Sequence, residues 1–167
     1  MFTEHTLETA PEASRRSMEA TIRHLGHLPN AVARLASSPE LLDGFLKLSA
    51  SFERTTLDPV ARETVVMTVA TRNDCHVCVE MHTGKLKRLH ADDDVVAALR
   101  SEKPVPDERL EAIRQFTLAV LETAGGVDDE TLRVFLGHGY TERNALEVVM
   151  GIGTYTLSTL ANRLTRA

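Results

Sequence analysis

Along most of the chain, apolar residues return every third or fourth position, the spacing of one face of an α-helix. Met18, Ile22 and Leu25 mark a first helix from Pro11 to about His24, ended by the segment from Gly26 to Asn30. A short element over Ala31–Ala36 follows. Ser38-Pro39 and Asp58-Pro59 each place a capping side chain before a proline at the first helical position, a strong helix-entry signal. The first opens a helix carrying Leu41, Leu42, Phe45, Leu46, Leu48 and Phe52 to about Glu53. The second opens a helix in which Val65, Val66, Met67, Val69 and Ala70 leave few polar sides, so it should be central and buried. Its β-branched run would also suit a strand, but the entry signal and the length favour a helix.

Arg72-Asn73-Asp74 reads as a turn, with Asp74 the expected cap of a helix from Cys75 to about Leu89. A short helix through Val95, Val96 and Leu99 follows, then Pro104 and Pro106 interrupt the chain. The remaining pattern predicts three helices. One passes through Leu110 to Leu121 and stops at Gly125-Gly126, one covers Asp128 to Leu136, and one starts after Thr141. In the last, Gly151 and Gly153 call for a reason, because an interior glycine costs a helix about 1 kcal/mol; close helix packing is the first reading and a subunit contact the second. No strand alternation, hairpin dipeptide, linker or repeat is visible. The expected fold is all-α, one domain over residues 1–167 with a motif-bearing core at about 38–165.

Composition narrows the function classes. A net charge of −5, no tryptophan and 4% aromatic residues speak against nucleic acid and anionic membrane as partners. The first residues show neither the basic nor the apolar segment of a signal peptide, and no apolar run reaches the ~18 residues of a membrane span. A cytoplasmic location is expected, where a close cysteine pair is more often catalytic or metal-binding than structural.

The only two cysteines are Cys75 and Cys78, with His82 four residues beyond. On one helix these three lie within about 60° of a common face. Folding the preceding helix back across the turn brings Glu63 level with His82, because their midpoint falls between Arg72 and Asn73. A carboxylate that orients an imidazole beside a thiol is a nucleophile–base–orienter arrangement. Three readings stay open on the residues alone: a redox dithiol, a zinc site of Cys75, Cys78, His82 and Glu63, or two inert buried cysteines. His76 lies inside the cysteine motif but points about 100° from Cys75, so exposure is expected, with a tuning role as the alternative. His24, His27, His90 and His138 fall near helix ends, where a structural role is expected.

The pattern Glu63, eleven residues, then Cys75-x-x-Cys78-x-x-x-His82 resembles the active-site motif of the AhpD-like alkylhydroperoxidases, within the carboxymuconolactone decarboxylase superfamily. Pro29-Asn30-Ala31-Val32, Ser38-Pro39-Glu40-Leu41-Leu42, the Leu57-to-Ala70 helix and Asn162-Arg163-Leu164 resemble that family too, over roughly residues 28–165. The resemblance implies an all-helical homo-oligomer, commonly a trimer or hexamer. It implies a thiol peroxidase or disulfide reductase without metal or cofactor. Cys78 would attack the hydroperoxide, Cys75 would resolve the sulfenic acid, and His82 and Glu63 would relay the proton. A dithiol donor such as a lipoyl carrier protein would reduce the resulting disulfide. The chain departs from the pattern at Val77, where a second relay histidine is expected. A decarboxylase-like lyase is the family's other activity, and retention of both cysteines argues against it.

Overall fold

The computed structural model describes residues 2–167, and among them are nine α-helices and no strand. In chain order they are α1 (Glu12–Leu25), α2 (Asn30–Leu35), α3 (Pro39–Phe52), α4 (Pro59–Arg72), α5 (His76–Arg88), α6 (Asp93–Arg100), α7 (Glu108–Glu122), α8 (Asp129–Gly137) and α9 (Glu142–Thr165). The all-α expectation holds.

Side-chain caps mark the starts of α3, α4, α7, α8 and α9. Ser38 and Asp58 accept hydrogen bonds from the backbone N–H groups of Leu41 and Ala61, and Asp107 and Asp128 do the same for Leu110 and Thr131. Thr141 and Asn144 cap each other's backbone at the start of α9. Such caps contribute about 1 kcal/mol each.

Helix α4 is the axis of the molecule. Glu63 to Ala70 are all buried, because α5, α6, α7 and α9 pack around it. Its valines meet Phe52, Leu57, Leu86, Ile113, Phe116 and Val148 in the main core, while Met18, Val32, Leu35 and Leu42 form a second core under α1. Leu25 does not join that second core: it sits in the last turn of α1 and is exposed.

Gly151 shows why α9 can approach this axis. A Cβ there would lie 2.7 and 2.8 Å from ring atoms of Phe52 and 3.0 Å from Val65. Close packing is therefore the reason for this glycine. Gly153 has open space around its missing Cβ and faces outward.

The turn between α4 and α5 departs from expectation in one detail. Cys75, not Asp74, is the N-cap residue of α5. Asp74 adopts a left-handed backbone with φ of 52° to reverse the chain, a conformation Asp tolerates better than most residues. Its carboxylate turns to His76 and Arg163, each about 3.5 Å away, instead of capping the helix.

Candidate redox site

The α4–α5 hairpin brings Glu63 and His82 together as the register requires. His82 Nδ1 donates to Glu63 Oε2 at 2.7 Å, and the pair is buried, with Glu63 only 1% exposed. Lys85, one turn beyond His82 on α5, reaches Glu63 Oε1 at 2.8 Å. Glu53 at the end of α3 holds Lys85 from the other side and pairs with Arg62 at 3.6 Å. Both oxygens of the buried carboxylate are thus occupied by donors, as a charge withdrawn from water requires.

These contacts decide the charge states. Burial alone would raise the Glu63 pKa, but the His82 hydrogen bond and the charges of His82 and Lys85 outweigh it, so the carboxyl is held below its usual range. Burial would lower Lys85, yet Glu63 and Glu53 together raise it above the ordinary lysine value. Because the ionised Glu63 accepts a hydrogen bond from Nδ1, that nitrogen carries a proton, and Nε2 is the one left for other partners. Tyr155 of α9 packs its ring edge-on against the imidazole at 5.3 Å, fixing the ring plane, and its hydroxyl meets Ser49 Oγ at 3.4 Å.

Cys75 and Cys78 are joined as a disulfide, each 2% exposed, against Ala70 and the half-buried Val77 and Val79. Cys78 is the third residue of α5, so both sulfurs sit at the helix start, where the dipole favours a thiolate. The contact to Cys78 that the sequence did not reveal comes from α9: Asn162 Nδ2 donates to Cys78 Sγ at 3.4 Å. His82 makes its hydrogen bond to Glu63 rather than to the sulfur. His76 projects into solvent and pairs only with Asp74, at 3.5 Å.

The structure therefore brings Glu63 and His82 into one buried pair on the hairpin that also carries the cysteine pair, and leaves His76 outside. Lys85, Glu53, Tyr155 and Asn162 complete the surroundings. The sulfurs are bonded to each other, Glu63 is saturated by two donors, and no group of three or more His, Cys, Asp or Glu side chains is gathered to hold a metal among the described residues. A disulfide can take part in thiol–disulfide exchange, and an imidazole in proton transfer.

No curated protein matches the chain. Among solved structures, the fold is shared with an alkylhydroperoxidase AhpD core, an uncharacterized peroxidase-related protein from Ralstonia eutropha JMP134. The two are 20% identical with a TM-score of 0.85, over 98% of this chain and 88% of that one. An uncharacterized peroxidase-related protein from Silicibacter sp. TM1040 is similar at 18% identity and a TM-score of 0.80, over 99% and 89%. The debrominase Bmp8, solved as a cysteine-to-alanine variant with 2,3,4-tribromopyrrole, is similar at 18% identity and a TM-score of 0.77, over 100% and 90%. At these identities the likeness establishes the fold. Residues 39–122 match the family described as the carboxymuconolactone decarboxylase family, a span that contains Glu63, both cysteines and His82. The chain belongs to the carboxymuconolactone decarboxylase family and has the fold of an AhpD core.

Proposed function

We propose that the protein is a thiol-dependent peroxidase or disulfide reductase that reduces hydroperoxides, organic ones included, through Cys75 and Cys78. The observation that carries this reading is the buried Glu63–His82 pair on the hairpin that holds the cysteine disulfide. In the reduced protein the Cys78 thiolate attacks the hydroperoxide O–O bond. Cys78 becomes a sulfenic acid and the alcohol leaves, its oxygen receiving a proton by way of His82, which Glu63 keeps in the productive tautomer. Cys75 then attacks the Cys78 sulfur, water leaves, and the disulfide forms. A dithiol reductant, for instance a lipoyl group on a carrier protein, returns both cysteines to thiols.

Supplying the reduced protein with cumene hydroperoxide and dihydrolipoamide tests the reading. Cys78→Ser should abolish turnover, and Cys75→Ser should leave a sulfenic acid at Cys78 that a dimedone probe captures. Full turnover in both variants would refute the mechanism.

The partner surface belongs to the same proposal. Leu146, Val149, Leu160 and Leu164 of α9 are all exposed, at 72%, 48%, 56% and 69%. At ~100° per residue they fall within about 60° of one another, along the outward side that also holds Gly153. A contiguous apolar stripe of this kind marks a protein contact, and its occupant here is proposed to be a second copy of the chain in a trimer or hexamer. No described helix is long and apolar enough to cross a membrane, and the cytoplasmic location remains part of the proposal.

A further inference from the structure

Asn162 presents an unusual balance of satisfied and unsatisfied atoms. Its Nδ2 donates to Cys78 Sγ at 3.4 Å, while its Oδ1 is buried with no hydrogen-bond partner. The residue is only 4% exposed. Turning the amide over would not repair this, because a disulfide sulfur has no hydrogen to give and would then face the Oδ1 lone pairs. A carbonyl is left bare so that an N–H can point at sulfur, and a bare buried polar atom calls for a functional explanation. The side chain is also held in place. Asn73 Nδ2 donates to Thr159 Oγ1 at 2.8 Å, and Arg163 Nη1 donates to Asn73 O at 2.6 Å, which clamps the end of α9 to the turn before Cys75.

We propose, resting on the thiol reading above, that Asn162 is a catalytic residue that gives the disulfide its direction of attack. The thiolate of an incoming dithiol reductant attacks Cys75 Sγ. A new S–S bond forms there, the Cys75–Cys78 bond breaks, and its electron pair goes to Cys78, whose thiolate the Asn162 amide stabilises. The reductant's second thiol, after losing its proton, attacks its own sulfur in the mixed disulfide and releases Cys75, which takes up a proton. The reductant loses two electrons and becomes a disulfide, and the protein gains them as two thiols.

Burial does not choose between the sulfurs, since each is 2% exposed. The dipole of α5 acts on both, because Cys75 is its N-cap and Cys78 lies in its first turn. The direct amide bond acts on Cys78 alone. Among the described residues no hydrogen bond is made to Cys75 Sγ, and a hydrogen bond to a charged acceptor is about twice as strong as one to a neutral acceptor.

The test begins with oxidised wild-type protein, mixed with 2-mercaptoethanol, trapped with N-ethylmaleimide and mapped by peptide mass spectrometry. The mercaptoethanol adduct is expected on Cys75 and the maleimide on Cys78; the reverse assignment overturns the proposal. In the reduced protein, Asn162→Leu should raise the Cys78 thiol pKa by about one unit, an about tenfold loss of thiolate below that pKa. The readout is site-resolved alkylation against pH, and an unchanged titration overturns the proposal. If that variant does not fold, Asn162→Asp keeps the shape, sets an acceptor-only carboxylate beside the sulfur, and should shift the titration the same way. Neither experiment uses a peroxide. Cys75-directed trapping without hydroperoxide turnover supports the role of Asn162 and removes the peroxidase reading. Turnover with Cys78-directed trapping removes the role of Asn162 and leaves the peroxidase reading standing.

Discussion

Glu63 Oε2 and His82 Nδ1 stand 2.7 Å apart, nineteen residues distant in the chain and buried between two helices. This contact makes the hairpin more than a packing unit. It fixes which imidazole nitrogen carries the proton and therefore which one can exchange a proton with a reacting group. The carboxylate stays charged in a buried place because Lys85 supports its other oxygen.

Glu63→Gln keeps the shape and removes that charge, so Lys85 keeps only Glu53 and His82 faces an amide. Breaking such a buried arrangement should cost about 2–4 kcal/mol at pH 7. Burial would raise the Glu63 pKa, but the hydrogen bond from His82 and the neighbouring positive charge hold it below its usual value. Its stabilisation is therefore complete above the unfolded pKa, and is lost as pH falls through the lower folded value. In urea unfolding, the gap between wild type and variant should be constant near neutrality and narrow below about pH 4.3. A gap unchanged at pH 3 would remove the charge of Glu63 from the account.

Lys85→Met keeps the stem and deletes the cation. Lys85 is partly exposed, so the expected loss is smaller, about 1–2 kcal/mol. The pH dependence has the opposite sense. Burial works against the raised Lys85 pKa, but Glu63 and Glu53 prevail. The contribution is full below the unfolded value and disappears as pH rises through the folded one. Chemical unfolding should show wild type and variant converging only above about pH 10.4.

The reach and the limit of sequence reading are visible in these same residues. Glu63 and His82 could be paired beforehand because a hairpin makes residues equidistant from its turn neighbours. Lys85 carried a weaker signal: it lies three residues after His82 on the same face, yet an isolated lysine on a helix usually marks solvent. Asn162 contacts a sulfur 84 residues away, and no local periodicity predicts a meeting made by packing α9 across α4. Asp74 misled because an aspartate suits both a helix cap and a left-handed turn, and here the turn prevailed.

His76 offers a check on what the site excludes. Its side chain is 92% exposed and its one ion-pair partner, Asp74, is exposed too. His76→Ala should leave stability within about 0.5 kcal/mol of wild type. Alkylation rates of the two reduced thiols should change by no more than about twofold, since an exposed pair contributes little. A larger change in the Cys78 rate would establish the tuning role that its place inside the motif raised.

The α9 stripe predicts concentration-dependent assembly. Leu160→Glu with Leu164→Glu places two charges on exposed apolar positions and should not disturb the fold, because neither side chain enters the core. Sedimentation of wild-type protein should give a multiple of the 18.4 kDa chain, and the double variant should move to the single-chain mass. A wild-type protein of single-chain mass at high concentration would refute the assembly.

Gly151 and Gly153 are two residues apart in one helix, yet alanine should act on them in opposite directions. At Gly151 the new methyl would meet the Phe52 ring at 2.7 Å and Val65 at 3.0 Å. Both neighbours are fully buried, so overpacking should cost about 1–3 kcal/mol. Phe52 also packs edge-on against Tyr155, whose ring contacts His82. A displaced Phe52 would thus reach the imidazole, and Gly151→Ala should slow the turnover proposed above as well as destabilise. At Gly153 the methyl meets open space, and replacing glycine with the best helix former should add about 0.5–1 kcal/mol. Urea unfolding of both variants in the dissociated Leu160→Glu, Leu164→Glu background separates this helix effect from assembly. Equal effects of the same sign would mean that α9 does not press its Gly151 face onto Phe52 as described.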